Sequence, residues 1–277
     1  MTEPEIFILG DSHLATLNNG RRALIERDPS TAFKAWSIYF VDRGGVVDNL
    51  VLELKDGRTM LNPLLERHLG ANMKVIDRDT GRPLMHNRPH EIILLFGYVE
   101  MHRICFHPRW AKYKILGRSS APLKPALSVE FVRDVLLDRF SSYALLMDQL
   151  LNYGLNISLL AGPPPVWDEN FINERIPAFK HFMDPESRLA IYDSINEVLK
   201  HIAANHKIAF RNFSRDFVDN RGYLREEYWE DGVHANVAYG VELLHCLDRD
   251  LRKNAAERSE VVLNPAEAHI LPARGLV

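Results

Sequence analysis

Three short apolar runs, each stopped by a glycine, constrain this chain more than any other feature. Residues 6–9 (IFIL) end at Gly10, residues 92–96 (IILLF) at Gly97 and residues 157–161 (ISLLA) at Gly162. Runs this short and this uniformly apolar suit strands buried on both faces, as in a parallel sheet, and the glycines mark where its carboxyl edge hands the chain to loops. Residues 34–41 (KAWSIYFV), followed by Gly44-Gly45, and residues 208–213 (IAFRNF) supply two more strands. Apolar residues at three- and four-residue steps predict helices over 129–153, 185–205 and 236–253. Helices alternating with parallel strands require right-handed crossovers. The expected fold is therefore α/β: three α/β/α layers around a five-stranded, mainly parallel, flavodoxin-like sheet.

Two regions exceed that minimum. Residues 50–62, with Asp56-Gly57, and residues 74–86, with Asp79-Thr80-Gly81, read as inserted β-hairpins. Residues 101–128 read as an irregular insertion. The expected organisation is one domain over 1–257, with insertions at about 46–90 and 101–128, and a tail over 258–277. A net charge of −3 over 277 residues leaves no electrostatic footprint for nucleic acid or an anionic membrane surface. The start, MTEPEIF, has no basic segment ahead of a long apolar one, and no apolar stretch reaches the roughly 18 residues of a membrane span. A cytoplasmic protein without membrane partners is expected. Cys105 and Cys246 are the only cysteines and form no metal or redox spacing. His102 and His107 would need further ligands among His68, His86 and His90, and no spacing matches a ligand pattern. No metal or other cofactor is expected, and the oligomeric state is not legible.

The first strand breaks into a helix at Gly10-Asp11-Ser12-His13. Two roles are open to Ser12 there. It stands at the sheet edge where open α/β sheets bind ligands, ahead of a helix whose amides and dipole favour an oxyanion. It, or Asp11, could equally cap that helix. A nucleophilic serine needs a base, because its hydroxyl is hardly ionised at neutral pH. His234, in YWEDGVHANVAYG, follows the last strand and precedes a helix, and Asp231 three residues earlier is placed to orient it. The alternative is an Asp-Gly turn beside a solvated histidine.

With these fragments in this order, the chain resembles the SGNH (GDSL-like) hydrolases. Gly10-Asp11-Ser12 matches the first block of that family, and Asp231-Gly232-Val233-His234 its Asp-x-x-His block. The resemblance implies a cofactor-free serine esterase in which Ser12 attacks, His234 moves the proton and Asp231 holds the imidazole. It implies an oxyanion hole built from the Ser12 amide, a glycine at Gly44 or Gly45, and a third-block asparagine. The third block here is Gly97-Tyr98-Val99-Glu100, with valine at the asparagine position. Three outcomes are open: the remaining amides suffice, another donor such as His102, Arg103 or Asn62 substitutes, or the site is inactive. One missing oxyanion donor typically costs about 2.7 to 4 kcal/mol of transition-state stabilisation.

Further pocket candidates are Asp11, Gly97, Tyr98, Glu100, His102, Arg103 and Trp167. Glu100 reads better as a structural partner of a basic residue. Trp167, after the stiff Gly-Pro-Pro-Pro loop, either lines a pocket or packs beneath the loop. Arg103, Arg109 and Lys112 hint at an anionic or sugar-like substrate, or simply face water. The expected activity is hydrolysis of a small-molecule or glycan-linked ester, an O-acyl group on a carbohydrate being one form. A non-catalytic binding protein and an acyltransferase on the same scaffold are the rivals.

Overall fold

The computed structural model describes residues 6–40, 51–53, 59–63, 91–116, 125–152, 154–178 and 180–263. Five strands form the central sheet: β1 (Ile6–Gly10), β2 (Ser37–Phe40), β5 (Glu91–Leu95), β8 (Asn156–Leu160) and β9 (Ala209–Arg211), in the order β2-β1-β5-β8-β9. Every pairing within it is parallel. All five residues of β1 are buried, as are the last four of both β5 and β8. That is the pattern of strands covered on both faces, and it explains why the runs lack polar alternation. Helices flank the sheet to complete the three α/β/α layers expected.

The helices in chain order are α1 (Leu14–Arg27), α2 (Tyr98–Cys105), α3 (Val129–Arg139), α4 (Ser141–Asn152), α5 (Glu169–Arg175), α6 (Pro185–Asn205) and α7 (Val237–Leu263). Local chemistry sets their starts. Ser128 accepts a hydrogen bond from the Phe131 amide at 3.1 Å to cap α3. Asp184 accepts the Ser187 amide at 3.0 Å and precedes Pro185, the first residue of α6.

Three expectations change. The helix expected over 129–153 is two helices, interrupted at Phe140, whose ring is fully buried and packs beside Gly97 and Tyr143. Apolar steps of three and four continue across the break, so periodicity alone does not reveal it. Residues 101–128 are not irregular throughout. They begin inside α2, and they contain β6 (Lys114–Leu116) and β7 (Ala126–Ser128), paired in parallel. The α2 signal is short: Tyr98, Met101, Ile104 and Cys105 are its apolar buried stripe, set among His102 and Arg103. The last helix extends well beyond Lys253, through Leu263, past Arg258.

The first inserted hairpin is present as β3 (Val51–Glu53) antiparallel to β4 (Thr59–Leu61). Its Asp56-Gly57 turn, the second expected hairpin and Gly44-Gly45 lie outside the described residues, as does the chain beyond Leu263.

Helices α1 and α7 cross in close contact at Gly20 and Gly240. A Cβ on Gly240 would stand 2.2 Å from the Thr16 carbonyl oxygen, and one on Gly20 would stand 2.6 Å from the Gly240 carbonyl carbon. Only residues without a side chain let two helices approach so closely. The Thr16 hydroxyl then donates to the Ala235 carbonyl at 2.6 Å, tying α1 to the loop ahead of α7.

Candidate active site

The turn from β1 into α1 divides the work between Asp11 and Ser12. Asp11 is fully buried, and its carboxylate accepts the His13 amide at 3.1 Å and the Val99 amide at 3.3 Å. It therefore closes the turn and ties the first block to the third. The N-cap position of α1 is His13, whose side chain makes no capping hydrogen bond, so the capping role weighed for Ser12 or Asp11 is taken by neither. The Ser12 hydroxyl instead faces His234, with 3.3 Å between Oγ and Nε2.

His234 comes from a tight loop between Trp229 and Ala235, which pair as an antiparallel bridge. The Asp231 carboxylate accepts the Val233 amide at 2.9 Å and the His234 amide at 2.7 Å, and its other oxygen lies 2.9 Å from His234 Nδ1. Gly232, at φ 84°, supplies the left-handed turn this wrapping needs, and a Cβ there would meet Ile172 at 2.7 Å. Burial alone would raise the Asp231 carboxyl. Hydrogen bonds from the His234 ring and from the His234 and Val233 amides outweigh it and hold the group well below the usual carboxylate range. An ionised Asp231 on Nδ1 fixes the tautomer with the proton on Nδ1, so Nε2 turns a lone pair toward the Ser12 hydroxyl.

Two further imidazoles pack against His234. The ring centroids of His13 and His102 lie 5.1 and 5.5 Å from that of His234, and 5.0 Å from each other. His13 is buried, and among the described residues neither of its ring nitrogens is hydrogen-bonded, nor is the shielded Nε2 of His102. Burial, then repulsion from His102 and His234, pushes His13 well below the ordinary histidine range. Burial and then His234 bring His102 down to about 3, against the opposing hydrogen bond to the Val233 backbone. Both rings are neutral at physiological pH. Among the described residues no group of three or more His, Cys, Asp or Glu could hold a metal ion.

The other expected pocket residues divide. Gly97 leads into α2 at φ 97°. Tyr98 is fully buried and donates its hydroxyl to Asn196 Oδ1. Glu100 is buried between Arg103 at 2.8 Å and Arg139 at 2.6 Å, so the basic partner read from the sequence is there twice over. Trp167 packs near Trp229 with the Arg221 guanidinium 4.3 Å over its ring. Arg109 is exposed.

The open space beside Ser12 is a cleft of about 410 Å³ between α1 and the loop leading into α7, lined by Ser12, Thr16, Asn19, Glu230, His234 and Asn236 among others. Among the described residues, neither Trp167 nor any part of α2 borders it. Sequence reasoning passed over Thr16, Asn19, Glu230 and His13. The signal for the first two was available: positions 12, 16 and 19 fall on one face of a helix.

No family model and no curated protein matches this chain. Solved structures do. A proposed acylhydrolase from Bacteroides fragilis superposes with a TM-score of 0.50 at 12% identity, covering 92% of this chain and 88% of that one. At that identity the likeness is one of fold. A GDSL-like lipase from Bacteroides thetaiotaomicron gives 0.47 at 13% identity over 91% and 89% of the two chains. A proposed platelet activating factor from Streptococcus pneumonia gives 0.48 at 17% over 91% and 85%.

Proposed function

We propose that this protein is a serine esterase that cleaves a small ester, such as an O-acyl group on a carbohydrate, through an acyl-serine intermediate. The observation behind this reading is the relay at the sheet edge: Ser12 Oγ 3.3 Å from His234 Nε2, and His234 Nδ1 2.9 Å from Asp231. Ser12 attacks the ester carbonyl as His234 takes its proton. The imidazolium, held by Asp231, returns that proton to the leaving alcohol. Water, activated by His234, then releases the acid and restores Ser12. The Ser12 amide, in the turn ahead of α1, is the oxyanion donor in this reading; Gly44 and Gly45, the other donors that the resemblance implies, lie outside the described residues. The Val99 amide is already engaged by Asp11.

The test is p-nitrophenyl acetate turnover and fluorophosphonate labelling of the wild type, Ser12→Ala and His234→Ala. We expect a loss on the order of 10³-fold or more in kcat for either variant, and no labelling of Ser12→Ala. Turnover that persists in Ser12→Ala refutes the mechanism. A wild type that neither labels nor turns over ester favours the binding-protein reading suggested by Val99.

A further inference from the structure

The cleft beside Ser12 has an unbalanced charge. Its polar lining is mostly committed to the fold: Thr16 donates to the Ala235 carbonyl. Asn236 donates to the Glu227 and Trp229 carbonyls and accepts the Tyr239 amide. Both Asp231 carboxylate oxygens are taken up by the His234 ring and by the Val233 and His234 amides. Glu230 stands next in the chain, and its backbone amide is fixed on the His234 carbonyl at 3.2 Å. Its exposed carboxylate has no cationic partner among the described residues, and none of those that border the cleft is a lysine or arginine. Asn19, exposed on the opposite wall, adds an uncharged amide.

We propose that Glu230 selects the leaving alcohol by charge, so that the cleft prefers esters of cationic alcohols, amino or quaternary ammonium, and disfavours anionic ones. This selection rests on the esterase reading, since it names the alcohol that departs as the acyl-serine forms. A carboxylate about 5 Å from a bound cation in a water-like dielectric favours it by about 4-fold over a neutral isostere. That preference shrinks as salt screens the pair.

The experiment compares acetylcholine with its neutral isostere 3,3-dimethylbutyl acetate at low ionic strength, in the wild type and in Glu230→Gln. The kcat/KM ratio of the cationic to the neutral ester should fall by about 4-fold from the wild type to Glu230→Gln. In parallel, choline should protect Ser12 from fluorophosphonate labelling better than 3,3-dimethylbutanol does, and should lose that advantage in Glu230→Gln. A ratio that Glu230→Gln leaves unchanged, with equal protection by the two alcohols, overturns the charge selection and leaves the esterase reading intact. Failure to cleave either ester together with failure to label overturns the esterase reading, and the charge selection with it.

Discussion

Lowering the pH from 7 to 5 should destabilise this protein chiefly through its buried histidines. In the unfolded chain His102 binds a proton near pH 6.5, whereas in the folded protein it resists protonation down to about 3. A depressed folded-state pKa means that stability is full above the unfolded value and is lost as the pH falls through it. Between pH 6.5 and 5 the loss runs at about 1.4 kcal/mol per pH unit, giving an upper limit of about 2 kcal/mol for His102, a residue only partly buried. His13 is shifted in the same direction and adds to the loss. Urea unfolding of the wild type and His102→Gln at pH 7 and pH 5 measures this directly, with the urea m-value checking that both unfold alike. Wild-type stability should fall further than that of His102→Gln over the interval, by up to about 2 kcal/mol. Identical pH dependence in the two proteins would refute the burial of a neutral His102 against His234.

Gly240→Ala places a methyl group 2.2 Å from the Thr16 carbonyl oxygen, so α1 and α7 must part by roughly 1 Å. We expect a loss of about 1 to 3 kcal/mol in thermal or urea unfolding, and a fall in kcat with little change in circular dichroism, because the helices that part are those that bring Ser12 to His234. Asp11→Asn replaces an acceptor of two buried amides by a group with one acceptor oxygen. It should cost about 1 to 3 kcal/mol in unfolding and slow fluorophosphonate labelling of Ser12, and unchanged labelling would show that Asp11 does not hold the turn.

How much of this was legible in the sequence depended on range. The sheet was readable because β1, β5 and β8 are buried on both faces, which forces uninterrupted apolar runs. Helix α6 was readable to the residue because Asp184-Pro185 starts it with its own cap. The interruption at Phe140 was not, because apolar spacing continues through it, and α2 was hidden by its brevity. At the site, the pairing of Asp231 with His234 is local and could be anticipated from a three-residue spacing. The tie from Asp11 to the third block could not, because it runs to an amide at Val99, far along the chain. The imidazole cluster was equally out of reach: His13, His102 and His234 come from three separate elements, and only the tertiary fold stacks them.

The contact between Ser12 and His234 spans 222 positions of chain. Bringing such distant positions together is a late, entropically costly event in folding. During synthesis Ser12 lacks its contact with His234 until all five strands of the sheet and the loop at Asp231 have been made. On the esterase reading proposed above, recovery of Ser12 labelling after denaturation would report the closing of the whole molecule rather than of any one element.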